Sequence, residues 1–346
     1  MGERVNEDHQ ILTRLVLGGY QAQVAAVFAR LDLADHMARG PLTVAELAKR
    51  SECHEPSLQR VLRAAKYLDL IQESEKGKIR LSRTGRLLCD GQPGGLKNFV
   101  KMLCGEGLWR AVGRLDHTVR TGQPAFEYIF GCPAYERLAD HPREAAVFHM
   151  AALEAAHFEA PPMVKACDLS GVGSVVDVGG GNGILMAGLL AANPRLKGVI
   201  VDMAMGLGNA PAVLSAAGAA DRCELVAGNF FTEPLPPRHD VYLIKSVLND
   251  WDDEQGAQIL RNCRESMRPD SRLLIIDAIV PDDADDSAGD PLVLLMSDLC
   301  ALAGNGGKLR TATEWRALFT GSGLALVDIA SHQADYGFSV LEAVPN

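Results

Sequence analysis

The chain lacks the features that announce a metal site, a secreted fold or a nucleic-acid partner. None of its eight cysteines (53, 89, 104, 132, 167, 223, 263 and 300) forms a C-x-x-C pair. That excludes a zinc ribbon and a disulfide framework, leaves no metal site to expect, and fits a reduced, cytoplasmic chain. Positive charge is in deficit: the net charge of −10 speaks against the basic stripe that nucleic-acid binding needs. The first residues, Met1-Gly-Glu-Arg-Val-Asn6, have no apolar core, so no secretory signal is expected. Asn6 also breaks the myristoylation pattern. No run reads as a membrane span, and no membrane partner is expected. Also missing is the G-x-G-x-x-G of dinucleotide sites. Counted from Gly179 the third glycine would be Ile184, and from Gly181 it would be Met186.

What is present is informative. With 346 residues and 47% hydrophobic content, the chain is long enough for two domains with real cores. The stretch Val175-Val-Asp-Val-Gly-Gly-Gly-Asn-Gly183 reads as a buried strand running into a tight turn without side chains. The apolar run Ile184–Leu190 then supplies the helix that packs back on a sheet, which together make a nucleotide cradle at the carboxyl end of a parallel sheet. The pattern Asp-x-Gly-x-Gly-x-Gly, from Asp177 to Gly183, is typical of S-adenosylmethionine (SAM) sites. Such a turn lets an amino-acid moiety and a sulfonium lie against bare backbone. Downstream, Gly198-Val-Ile-Val-Asp202 is a second strand ending in an acid, and a carboxylate there suits the two ribose hydroxyls.

The flanking organisation is of two kinds. Residues 1–95 read as a small helical module: a long apolar helix from Ile11 to Leu33, a capping box at Thr43-Val-Ala-Glu46, a helix opening near Pro56, and two short strands within 70–81. Helix, helix and hairpin make a winged helix. Glu52, Glu55 and Asp69 surround the helix that would enter DNA, so partner packing through the apolar first helix is the better reading. The polar stretch 90–95 separates this module from residues 96–346, a helical linker and then an α/β region. Strands are expected at 174–178, 198–202, 223–227, 240–245 and 272–280, and an acidic loop at 281–290. Leu324–Ile329 and Phe338–Val344 follow without an intervening helix and read as an antiparallel hairpin closing a mostly parallel, seven-stranded sheet.

Several blocks in one order carry a resemblance. They are Asp177–Gly183, Asp202, Gly228-Asn-Phe-Phe231, Lys245, Leu248-Asn-Asp-Trp-Asp-Asp-Glu254, and Gly306-Gly-Lys-Leu-Arg-Thr-Ala-Thr-Glu-Trp315. Over nearly its full length the chain resembles the two-domain bacterial and plant-type O-methyltransferases that use SAM. The resemblance implies a winged-helix dimerisation domain followed by a class I, Rossmann-like methyltransferase domain. It also implies a homodimer, and a small aromatic or polyketide-like acceptor. Carried over, Asp177, Gly179 and Gly181 would back the methionine part of SAM and Asp202 would hold the ribose. Gly228 and Asn229 would meet the adenine, which Phe230 and Trp251 would flank, and Lys245 would reach the cofactor edge. Trp109, Phe148, His149, Met296 and Asn305 would line the acceptor pocket.

The departure comes at the chemistry. Where the family has a histidine base before Asp-Trp, this chain has Asn249, and a carboxamide has no usable proton affinity. The acid that steadies that histidine is replaced by Leu309, while a second supporting acid survives as Asp277. Two readings of Asn249 stand: it orients the acceptor, or it only caps the helix that begins near Asp252. Asp250, His149 and Asp298 are other conceivable bases. The expected activity is O-methylation of a small aromatic hydroxyl, with S-adenosylhomocysteine as product. A SAM-binding relative that hydroxylates or rearranges its substrate is the alternative, and a winged-helix regulator the weaker one.

Overall fold

The computed structural model describes residues 2–282, 290–331 and 337–346, so most of the acidic loop expected at 281–290 lies outside the described residues. Two compact units emerge, one made of Met1–Trp109 with Leu138–Phe158, the other of Arg110–Arg137 with Glu159–Asn346.

In the first unit the helix Gly2–Arg30 feeds Phe28 into a core with Leu33, Met37, Leu47, Leu58 and Leu62. Thr43 opens the helix Val44–Arg50 with the expected capping box, and Pro56 stands in the first turn of Glu55–Tyr67. The hairpin is formed by β1 (Ile71–Glu73) and β2 (Ile79–Leu81), antiparallel, with Ile71 opposite Leu81. Lys97 is buried, and Asp32, Asp35 and Asp90 surround its ammonium at 2.8, 2.5 and 2.8 Å. Burial opposes that charge, but the three carboxylates outweigh it and raise the lysine's pKa. Earlier in the first helix Ile11, Leu12, Leu15, Val16 and Tyr20 are exposed. By length and composition alone, Glu7–Arg30 is long and apolar enough to cross a membrane. That corrects the expectation of no such stretch; Arg14 is the one Asp, Glu, Lys or Arg between Asp8 and Arg30, and it hides easily in an otherwise apolar helix.

The second unit is built on one twisted sheet. Its strands are β3 (Ser174–Val178), β4 (Lys197–Asp202), β5 (Cys223–Ala227), β6 (Val241–Lys245), β7 (Arg272–Val280), β8 (Arg310–Thr311), β9 (Leu324–Ser331) and β10 (Phe338–Pro345). They lie in the order β5-β4-β3-β6-β7-β10-β9, with β8 paired only to β7. Pairing is parallel from β5 through β7, and β10 runs antiparallel to both β7 and β9. The expected parallel sheet with a closing hairpin is thus what the chain forms. The two-residue β8 was not expected, being too short to show any period.

Burial on both faces explains why these strands read as continuous apolar runs. Val176, Val178, Tyr242, Ile244 and Ile275 turn to one face, against Ile259, Leu260 and Cys263 of the helix Asp253–Ser266 and Trp315 and Phe319 of Ala312–Gly321. Val175, Val241, Leu243 and Leu274 turn to the other, against Leu185, Met186, Leu189 and Leu190 of Ile184–Ala192. The carboxyl ends of β3, β4, β6 and β7 therefore share one edge, which carries Asp177, Asp202, Lys245 and Asp277.

Candidate active site

The turn after β3 depends on missing side chains. Gly179, Gly181 and Gly183 have φ of 75°, 52° and 74°, the left-handed region that favours glycine. Gly180 has no room: a Cβ would fall 2.5 Å from Asp177 Oδ2. The Gly181 amide donates to Asp202 Oδ2 at 2.8 Å, so the acid at the end of β4 is tied to the glycine turn. Asp202 Oδ1 accepts from the Met203 amide at 2.6 Å. Asp177 is buried, its Oδ1 lacks a partner among the described residues, and burial with the nearby Asp202 charge pushes its pKa up to about 7. A bare backbone cradle beside an orphaned carboxyl oxygen fits a cofactor presenting an ammonium group and a ribose.

On the neighbouring loop the Gly228 amide donates to the Asp202 carbonyl. Asn229 is exposed, and its Oδ1 accepts from the Phe231 amide at 3.0 Å. Phe230 and Phe231 are 5.1 Å apart, and Phe231 meets Trp251 edge-on at 4.7 Å. Both Phe230 and Trp251 pack partly buried against the core. Lys245, at the end of β6, pairs with Glu159 and lies 5.6 Å from the Phe338 ring.

The turn Leu248–Asp250 is a single 3-10 turn that carries Asn249. Asn249 does not cap the following helix. Asp252 does, its side chain accepting from the Gln255 amide, and the Asn249 Oδ1 is buried without a partner among the described residues. The turn is held by Arg310, whose side chain is fully buried. Its guanidinium donates to the carbonyls of Leu248, Trp251 and Lys308 at 2.7, 2.9 and 3.1 Å and to Asp253 at 2.9 Å. The Asn249 carbonyl in turn accepts from the Lys308 amide at 2.9 Å. Leu309 is buried, and its amide donates to Asp298 Oδ1 at 2.8 Å. Asp277 is buried, with Oδ2 unpartnered among the described residues. Burial pushes its pKa up to about 7, against the favourable Ala278 amide, and the Asp250 charge adds to the rise. Asp250 is likewise raised by burial, against hydrogen bonds from Tyr135 and Asn305.

The five residues named for the acceptor divide between the units. Trp109 is partly exposed and packs at Gly19, and Phe148 meets His149 edge-on at 5.7 Å, all in the first unit. Met296 is exposed and Asn305 half-buried, both in the second. Three residues of this edge had no assigned role in the sequence. Arg310 stood inside a quoted block and Glu159 and Tyr135 in helical stretches, with no spacing to mark them.

Comparisons with known proteins show the chain's family. An O-methyltransferase domain family matches residues 112–325, and an O-methyltransferase dimerisation domain matches residues 13–90. The chain is 36% identical to an O-demethylpuromycin-O-methyltransferase of Streptomyces alboniger, over 97% of this chain and 89% of that one. It is also 34% identical to an aclacinomycin 10-hydroxylase of Streptomyces purpurascens, over 98% and 91% of the two chains. Among solved structures it superposes with a TM-score of 0.80 on an O-methyltransferase from neocarzinostatin biosynthesis, in complex with SAM and 2-hydroxy-5-methyl naphthoic acid. That pair shares 30% identity over 94% of this chain and 96% of the other.

Proposed function

This chain belongs to the O-methyltransferase family, and from that membership we propose how it methylates: by orienting an acidic aromatic hydroxyl rather than by deprotonating it. It is a SAM-dependent enzyme of natural-product biosynthesis, acting on a small aromatic acceptor. Bound SAM supplies an electrophilic methyl group on its sulfonium. Gly179 and Gly181 hold its methionine part with Asp177 alongside, and Asp202 receives the ribose. Gly228 and Asn229 meet the adenine between Phe230 and Trp251. Lys245 reaches the cofactor edge while paired with Glu159. Met296 and Asn305 meet the acceptor, and the N-terminal module joins two copies into a homodimer.

The observation that carries this reading is the orphaned, buried Oδ1 of Asn249. An amide oxygen accepts a hydrogen bond from the acceptor hydroxyl but cannot take its proton. The proton must then leave by the acceptor's own acidity, which favours a phenol flanked by carbonyl or other electron-withdrawing groups. Magnitudes allow it. A general base is worth about 10² to 10⁴ in rate, whereas in-line positioning of two reactants supplies roughly 7–11 kcal/mol.

The test is methyl-labelled SAM with a panel of acidic and ordinary phenols, read by mass. Acidic members should gain one labelled methyl, with the rising limb of the pH profile following each acceptor's own pKa. Asn249→Ala should lower kcat about three- to tenfold, the loss of one neutral hydrogen bond, and leave that limb in place. A substrate altered without gain of label would transfer the reading to the hydroxylating kind of relative.

A further inference from the structure

The hydroxyl of Tyr135 joins a helix with no assigned role to the turn that carries Asn249. Tyr135 lies on the helix Ala134–Asp140, within the segment Arg110–Arg137 of the second unit. Its Oη donates to Asp250 Oδ2 at 2.5 Å, and its ring stacks on Trp251 at 6.0 Å and 25°. Asp250 also takes a hydrogen bond from Asn305, at the end of the helix Pro291–Asn305. Each side of the turn is therefore gripped. Arg310 holds the carbonyls of Leu248 and Trp251, and Tyr135 with Asn305 holds the side chain between them. Asp250 does not cap the next helix, since Asp252 does. It is also poorly placed as a base, because its oxygens are already engaged by two donors.

We infer that Tyr135 is a positioning residue for methyl transfer: with Asn305 it clamps Asp250, and through Asp250 it fixes the direction in which Asn249 presents its amide oxygen. This rests on the orienting role given to Asn249 above. Burial and the Asp250 carboxylate hold the Tyr135 phenol well above its ordinary range, and Asp202 adds to the effect. The pair therefore has a spectroscopic signature of its own.

The experiment uses the full-length enzyme and Tyr135→Phe, which keeps the stacked ring and removes only the hydroxyl. We expect kcat to fall about tenfold or more, as for a hydrogen bond to a charged partner. The Kd for S-adenosylhomocysteine, by calorimetry, should stay close to wild type, and stability should fall by no more than the loss of one hydrogen bond. In an alkaline absorbance titration one late-ionising tyrosine should be missing from Tyr135→Phe and should ionise earlier in Asp250→Asn. A kcat within twofold of wild type in Tyr135→Phe overturns the clamp, as does a titration in which the tyrosine missing from Tyr135→Phe is unmoved in Asp250→Asn. If the signature is intact but wild type methylates no acceptor, the methyl-transfer reading fails and takes the positioning role with it. That outcome is distinct from normal turnover in Tyr135→Phe, which removes the clamp alone.

Discussion

Between Gly179 and Gly183 the chain is placed by what it lacks, whereas between Leu248 and Trp251 it is placed by what is bonded to it. The glycine turn uses left-handed backbone and a position with no room for a methyl group, and its amide reaches Asp202 directly. The Asn249 turn is also approached by a bare position, Gly307, but it depends on one buried guanidinium and on a clamped carboxylate. A backbone cradle tolerates almost no substitution yet says little about chemistry. A side-chain harness keeps a turn in place while the residue at its centre changes identity. This contrast fits the proposed division of the site into a cofactor half held by backbone and an acceptor half held by side chains.

The largest effect that separates the halves is expected from Arg310→Met. Removing the guanidinium leaves the carbonyls of Leu248 and Trp251 buried or half-buried without their donor, at about 1–3 kcal/mol each. The unfolding midpoint in urea should drop accordingly, and kcat should fall with it. Gly180→Ala is the counterpart on the other side. A Cβ pressed against Asp177 costs about 1–3 kcal/mol, and it should appear as roughly tenfold or more in the Kd for S-adenosylhomocysteine. If Gly180→Ala spared cofactor binding, or Arg310→Met spared kcat, the two halves would not be held by different means.

Acidity gives the next test. Asp277 keeps its proton up to about pH 7 because burial penalises the carboxylate. Between the ordinary carboxylate range and about pH 7 the folded chain thus binds more protons than the unfolded one. Stability should therefore fall as pH rises through that window, the opposite of a salt-bridged acid. Asp277→Asn removes this contribution, and the loss of stability between about pH 5 and about pH 8 should shrink by on the order of 2–4 kcal/mol. Denaturant melts of both proteins across that range would show it. Asp177, raised to about 7 in the turn half, should keep the remaining slope alive.

How much of this was legible follows from the same contrast. The strands, the glycine turn and Asp202 announce themselves locally, because a parallel strand needs an apolar run and a left-handed turn needs glycine. The end residues of β3, β5 and β7 were expected where they occur. The expectation that the base is lost came from sequence too, since Asn249 stands in a recognisable block. What held Asn249 was not. Arg310 acts on carbonyls of Leu248 and Trp251, about sixty positions away in sequence, and Tyr135 reaches Asp250 across 115 residues. Neither partner leaves any period or spacing, because the contact exists only once the sheet has aligned β6, β7 and β8. The capping reading of Asn249 had the same origin: local propensity suits asparagine, and Asp252, three residues on, takes the place instead.

The smallest predicted effect bears on whether the halves are independent at all. Ser246 joins β6 to the Asn249 turn with a φ of 51°, and its amide donates to the Ile276 carbonyl at 3.0 Å. The next residue, Val247, packs where a Cβ on Gly179 would stand, 2.5 Å from its Cγ2. The strained serine thus presses one half against the other. Ser246→Gly relieves a left-handed residue, worth about 1–2 kcal/mol, but frees the unfolded chain by roughly half as much. Stability should consequently rise slightly or stay level. A looser joint should nonetheless cost about twofold in both kcat and the Kd for S-adenosylhomocysteine. Stabilisation with both constants unchanged would mean that the cradle and the harness are set separately, and that the strain at Ser246 serves only to turn the chain.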